Sequence, residues 1–312
     1  MNLRQILTTV ASYRDDLFGR NDLTPEQKQR NMAQASAAAN LAEEGVPPLP
    51  ESVQELLRVL RDPNFKTRDA VSALESDPAL AAEVIHLANS AANARKSPCD
   101  TTGKAFARLG AKAVGDLAVA AHVMAMGANT TGVARIVVNR SVRVATILRG
   151  MPKFRGYSPE RLFLCGLVHD IGIQLLSQSG EFTYTEEMLI GDDLCDKERR
   201  RMRFDHATLG AIAMKMWDVP DPVSRIVAWH HHLDEAIERG GDVAHMVATL
   251  RLAQKLEDAA SDTGDLAPFA AANVANSKEC AFLGLSADDL MLLWESQIVD
   301  ELKTVKALPM AA

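Results

Sequence analysis

The chain is poor in the features that mark several large protein classes. Aromatic residues make up only 5% of its 312 residues, so strand formers are sparse while alanine and leucine, strong helix formers, abound. The four cysteines (Cys99, Cys165, Cys195, Cys280) are scattered without Cys-x-x-Cys spacing, which argues against both a disulfide framework and a thiolate zinc site. They read as reduced structural thiols. A basic excess is also missing: the net charge is −7, which gives no general basis for holding a nucleic-acid backbone. The one dense basic run, Lys197 to Arg203, is interrupted by Glu198 and reads as a solvated helix face or loop. No apolar run approaches a membrane span, and the N-terminus lacks the basic start and unbroken apolar stretch of a signal peptide. The expected location is therefore the cytoplasm. No glycine-rich phosphate loop is present.

What remains is an all-α chain punctuated by caps. Thr24-Pro25-Glu26-Gln27 offers an N-cap, a first-turn proline and a capping-box glutamine for a helix with few large apolar residues, which packs by alanine or awaits a partner. The prolines of Gly45 to Pro50 end it and open the main domain. Helices are expected after Pro50, Thr67 and Asp77, then across Lys104 to Leu109, Ala113 to Met126 and Val133 to Leu148. Ser158 caps the helix that carries His169 and Asp170, Asp205 caps one beginning at His206, and Asp221 caps one running to His230. Near the C-terminus, Leu290, Leu293, Trp294, Ile298, Leu302 and Val305 form the clearest amphipathic stripe. The expected organisation is an N-terminal helical extension over 1–45, a main domain over 46–258, and a linker with a C-terminal helix over 259–312.

The chemistry concentrates where the apolar run Leu162 to Val168 ends in His169-Asp170-Ile171-Gly172. A buried carboxylate is costly without hydrogen-bond partners or a metal. The short turn Asp218 to Pro222 makes the helices on either side neighbours, which brings His206 within reach of His230 or His231. If His169 and Asp170 face the same cleft, three imidazoles and a carboxylate suit one divalent iron, manganese or zinc ion better than calcium. The alternative is a set of histidines hydrogen-bonded within or beside helices, as expected for His86 and His122.

These motifs resemble the HDOD family, the HD-related output domains of bacterial signalling proteins and relatives of the metal-dependent HD phosphohydrolases. The resemblance runs from about Pro47 to Leu256. It is carried by Leu49-Pro50, Asp77 to Leu80 leading to Leu87 to Ser90, Ala105 to Gly110, Gly166 to Gly172, Asp205 to Gly210, and Trp217 to Pro220 leading to His230-His231. It implies a multi-helix HD-like domain, a bacterial source and a metal set of His169, Asp170, His206, His230 and His231. It also shows departures. The early histidine ligand of the hydrolase pattern is replaced by Arg140, the final aspartate by Gln254, and the lysine after the His-Asp-Ile-Gly motif by Ile173. A guanidinium does not ligate a metal; Arg140 is instead a candidate phosphate contact.

The resemblance therefore implies a regulatory module on a degenerate hydrolase site, non-catalytic or weakly catalytic, retaining one metal and answering to a signalling partner, a small regulatory ligand or a second copy of itself. The alternatives are a metal-dependent phosphohydrolase acting on a nucleotide or cyclic nucleotide, and a cyclic-dinucleotide binding module without turnover. Neither a membrane nor a nucleic acid is an expected partner.

Overall fold

A computed structural model describes residues 3–18, 24–89, 99–128, 130–151, 157–190, 193–260 and 264–306. Among the described residues every regular element is helical and none is a strand. None of the described helices is long and apolar enough to cross a membrane. Ser90 of the sequence motif lies outside the described residues, as does the side chain of Val305. All four cysteines are buried free thiols.

The chain divides into two compact units. One comprises Met1–Pro48, Thr130–Ser141 and Val168–Leu252. Its first helix, Leu3–Phe18, is followed by Pro25–Gly45, where Thr24 and Gln27 form the expected capping box. Pro25–Gly45 packs by alanine: Ala35, Ala38, Ala39 and Ala42 are buried, and the helix lies against His206–Met216. Small side chains permit that approach without large apolar residues, which is why its sequence looks weakly amphipathic. Asp205 caps His206–Met216 as expected, accepting from the Thr208 amide. Asp221 does not cap the next helix. Asp221–Trp229 starts after Pro220, and the Asp221 carboxylate is drawn instead to Lys215 Nζ at 2.8 Å and to the Tyr13 hydroxyl.

The other unit comprises Leu49–Asn129, Val142–Leu167 and Ala253–Ala312. The Ala259 to Ala275 stretch, expected as a linker, contains the helix Pro268–Ala275, which packs on Ala287–Leu293; its short side chains, buried at Ala271, are what made it look unpatterned. The C-terminal stripe is buried at Leu290, Trp294, Ile298 and Leu302, while Leu293 is half-exposed. The buried residues recur every fourth position, which drifts about 40° per step around an α-helix, or about one residue over the stripe. A π-helical turn at Trp294–Ile298 absorbs that residue and keeps the stripe facing inward.

This last helix is pinned by charge as well. Arg149 Nε donates to Glu301 Oε2 at 2.9 Å, with both side chains 2% exposed, and the Arg149 guanidinium lies 4.4 Å over the Phe163 ring. Removing one member of such a pair strands the other, which costs about 3–5 kcal/mol, whereas replacing both by apolar groups is close to neutral. Chemical denaturation is accordingly expected to show Glu301→Leu destabilised by about 3–5 kcal/mol, with most of the loss recovered in the Arg149→Met, Glu301→Leu double variant.

Candidate metal centre

His169 and Asp170 do not sit on a helix. Pro159–Val168 ends just before them and Ile171–Ser179 begins just after, so both side chains project from a two-residue break. Asp170 holds the N-cap position but makes no capping hydrogen bond, which leaves its carboxylate for the cluster. Gly172 explains how the cluster closes: a Cβ there would lie 2.0 Å from the His206 carbonyl oxygen and 2.9 Å from its Cα. Gly210 reciprocates, since its Cβ would meet Val227 Cγ1 at 2.9 Å and Ile171 Cγ2 at 3.2 Å. The glycines let Ile171–Ser179 touch the backbone of His206–Met216. The preceding glycine of the motif, Gly166, serves the other unit alike, where a Cβ would lie 2.5 Å from Ala145 Cα.

His206 starts one helix of an antiparallel hairpin, and His230 and His231 follow the end of the other. Asp170 Oδ1 lies 3.4 Å from His206 Nε2 and 3.3 Å from His230 Nε2. His231 is exposed at the rim but turns its Nε2 inward, 2.8 Å from His206 Nε2. Donor atoms of Asp170, His206, His230 and His231 all lie within 4.8 Å of one another. His169 falls outside that group of four: its Nε2 is 3.0 Å from the opposite carboxylate oxygen, Asp170 Oδ2. Arg140 is half-buried on Gly132–Gly150, in the same compact unit and also outside the four. Ile173 is buried, and Asp258, the aspartate one helical turn beyond Gln254, is exposed.

The imidazoles are oriented from behind. His230 Nδ1 donates to the Val227 carbonyl at 2.7 Å, so Nε2 is the nitrogen turned inward, buried and toward Asp170. His206 Nδ1 donates to Glu198 at 2.8 and 3.0 Å, because a carboxylate can only accept. Glu198 is wholly buried and also accepts from the His206 main-chain N–H at 2.8 Å and the Tyr184 hydroxyl at 2.6 Å. Sequence reading passed over this residue. It is the carboxylate that interrupts the basic run, and its signal was its spacing: Leu194, Cys195 and Glu198 form the buried side of the helix Leu194–Met202, while Arg200 and Arg201 face solvent.

Electrostatics follow from this enclosure. Burial opposes the charge on Asp170, but the imidazoles of His169, His206 and His230 outweigh it and hold the carboxyl well below the usual carboxylate range. Burial likewise opposes a charge on His206, and the Glu198 carboxylate outweighs it, holding His206 well above the ordinary histidine range. Desolvation of the inward ring, reinforced by His230 and His206, pushes His231 well below it. Burial also raises the Cys195 thiol to about 12, so that thiol is inert.

An all-helical domain with a His-Asp pair at a helix break and further histidines gathered onto it defines a protein of the HD type. A model of the HDOD domain matches residues 46–233, more than half of the chain, and the chain belongs to the HDOD family. An HDOD domain protein with unknown function from Geobacter sulfurreducens shares the fold with a TM-score of 0.64 and 20% identity, over 88% of this chain and 98% of its own. A candidate phosphohydrolase from Shewanella amazonensis does so with a TM-score of 0.64 and 22% identity, over 86% and 98%. At these identities the likeness is one of fold. An uncharacterized protein of Treponema pallidum is 25% identical over 217 residues, 64% of this chain but 41% of the relative. The chain thus spans less than half the length of that curated relative.

The glycine contact gives a direct test. Gly172→Ala drives a methyl group into the His206 backbone, and overpacking against main chain cannot be relieved by a side-chain rotation. Thermal and chemical denaturation are expected to show a loss of about 3 kcal/mol, whereas Gly180→Ala, at a helix end with nothing within 4 Å, loses only the strain of its positive φ, about 1 kcal/mol.

Proposed function

We propose that this chain is a regulatory HDOD module in which Asp170, His206, His230 and His231 hold one divalent cation, with His169 supporting Asp170, and in which the cluster serves signalling and structure before catalysis. The observation that carries this reading is the buried His230 Nε2, which is turned toward Asp170 Oδ1 at 3.3 Å in a setting that also gathers donor atoms of His206 and His231 within 4.8 Å. A nitrogen lone pair and a carboxylate oxygen repel unless a proton or a cation lies between them. Two buried carboxylates, Asp170 and Glu198, flank His206, and a divalent ion balances them both. The nitrogen-rich donor set suits iron, manganese or zinc, and the carbonyl and carboxylate behind the imidazoles are the supports that metal-bound histidines ordinarily have. When bound, such an ion supplies Lewis acidity that polarises a phosphate or acidifies a water.

The case against an efficient hydrolase lies in the replaced residues. Two-metal phosphoryl transfer clamps both the attacking and the leaving oxygen, and Arg140 and Gln254 stand where the family resemblance puts ligands of the other ion. The regulatory input is then a signalling protein, a small ligand or a second copy of the chain. Arg140 favours one other reading, turnover of a nucleotide or cyclic nucleotide, because a half-buried guanidinium in the same unit as the histidines can grip a phosphate through two hydrogen bonds. Binding of a cyclic dinucleotide without turnover draws on that same contact.

Elemental analysis of the purified chain is expected to find about one equivalent of iron, manganese or zinc per chain, lost in Asp170→Ala. With iron or manganese supplied, hydrolysis of phosphomonoesters and cyclic dinucleotides is expected to stay at the Asp170→Ala background. Robust turnover that Asp170→Ala abolishes overturns the non-catalytic reading. Glu198→Gln, which keeps the shape but removes the charge behind His206, is expected to weaken metal binding roughly 10- to 100-fold, measured by competition with a chelating dye.

A further inference from the structure

The helix Leu3–Phe18 precedes the residues matched by the family model, 46–233, yet it grips the hairpin that carries the ligand histidines. Tyr13 is 1% exposed. Its hydroxyl donates to Asp221 Oδ1, the same oxygen that accepts from Lys215 Nζ at 2.8 Å. Lys215 lies in the last turn of His206–Met216 and Asp221 opens Asp221–Trp229, so three helices are tied at one carboxylate oxygen. At the other end of Asp221–Trp229, Trp229 Nε1 donates to the Tyr13 main-chain carbonyl at 2.9 Å. Arg225, between them in sequence, lies 4.9 Å over the Tyr13 ring and 5.7 Å over the Trp229 ring.

One residue of the N-terminal helix therefore holds both ends of Asp221–Trp229. The α-helix stops at Trp229, and the next two residues are His230 and His231. Their imidazoles are placed by the peptide that leaves the clamped indole, with Arg251 Nη1 donating to the His230 carbonyl at 3.2 Å. Metal–ligand distances tolerate only about 0.2 Å of error, so a small slide of this helix along Leu3–Phe18 misplaces two donors together.

We infer that the N-terminal helix sets the metal affinity of the histidine cluster, with Tyr13 and Trp229 as positioning residues that act through His230 and His231. The inference rests on the metal reading above. It makes Leu3–Phe18 the element through which a signal reaches the site: whatever displaces this helix loosens the metal, and metal occupancy in turn favours the docked helix.

The test is a Co²⁺ titration of the full chain followed by its visible absorption bands, with circular dichroism and thermal melting alongside. Trp229→Phe and Tyr13→Phe are each expected to weaken Co²⁺ binding about tenfold while retaining helical content. Tyr13→Phe keeps the ring beneath Arg225 and carries the test if Trp229→Phe does not fold. Glu301→Gln, a destabilised variant of the other compact unit, is expected to melt earlier yet bind Co²⁺ as the wild type does. Equal affinity in both aromatic variants overturns the coupling and leaves the metal reading standing. A comparable loss in Glu301→Gln overturns it too, because affinity then follows stability alone. A wild-type chain that takes up no Co²⁺ overturns both readings.

Discussion

A carboxylate buried among imidazoles has to be balanced, and that requirement organises the histidine-bearing unit. Asp170 is buried at the break between two helices, against the hairpin that follows. Its charge is tolerable only because His169, His206 and His230 surround it. Those rings need fixing in turn, which is the role of the Val227 carbonyl behind His230 and of Glu198 behind His206. Glu198 is a second buried charge and brings Tyr184 with it. Each polar group thus requires the next, until the network ends at main chain or at the exposed rim of His231.

The two units handle buried charge differently. In one, Arg149 meets Glu301 and Arg161 meets Asp116, and each arginine is matched to its carboxylate at 2.9 and 2.6 Å. Such pairs fix where a helix docks. In the other, Arg199 meets Asp205 in the same way, but Asp170 and Glu198 meet imidazoles, whose charge depends on a proton. The distinction lies in residue chemistry, because a guanidinium keeps its charge at any physiological pH.

Much of this was legible in the chain. Helix starts at Thr24, Asp77, Asp205 and Ser286 follow from side-chain oxygens placed to accept the first free amides, a rule that acts over three residues and is written locally. The short turn after Trp217 fixed the hairpin, and with it the meeting of His206 with His230 and His231. Asp221 shows where local reading ends: it stands one place inside the helix, and Tyr13, more than two hundred residues earlier in the chain, is one of the partners that hold it. Glu198 was hidden for the same reason. Beside Lys197 and Arg199 it looks solvated, and only the packing of its helix shows that it points inward.

The sequence by itself determined the helical class, most helix boundaries, the family and the cast of histidines and carboxylates that gather in the cluster, because caps, periodicity and turn lengths act between near neighbours. Tertiary structure decided the rest: which nitrogen of each histidine faces inward, that His169 stands behind Asp170 on its other oxygen, that Gly172 is glycine because another helix's main chain passes 2.0 Å from where its Cβ would be, and that the N-terminal helix reaches the histidine-bearing hairpin. Each of these depends on distances between segments remote in sequence. Such distances are set by close packing of whole helices and by the balancing of buried charge, and no local pattern encodes either.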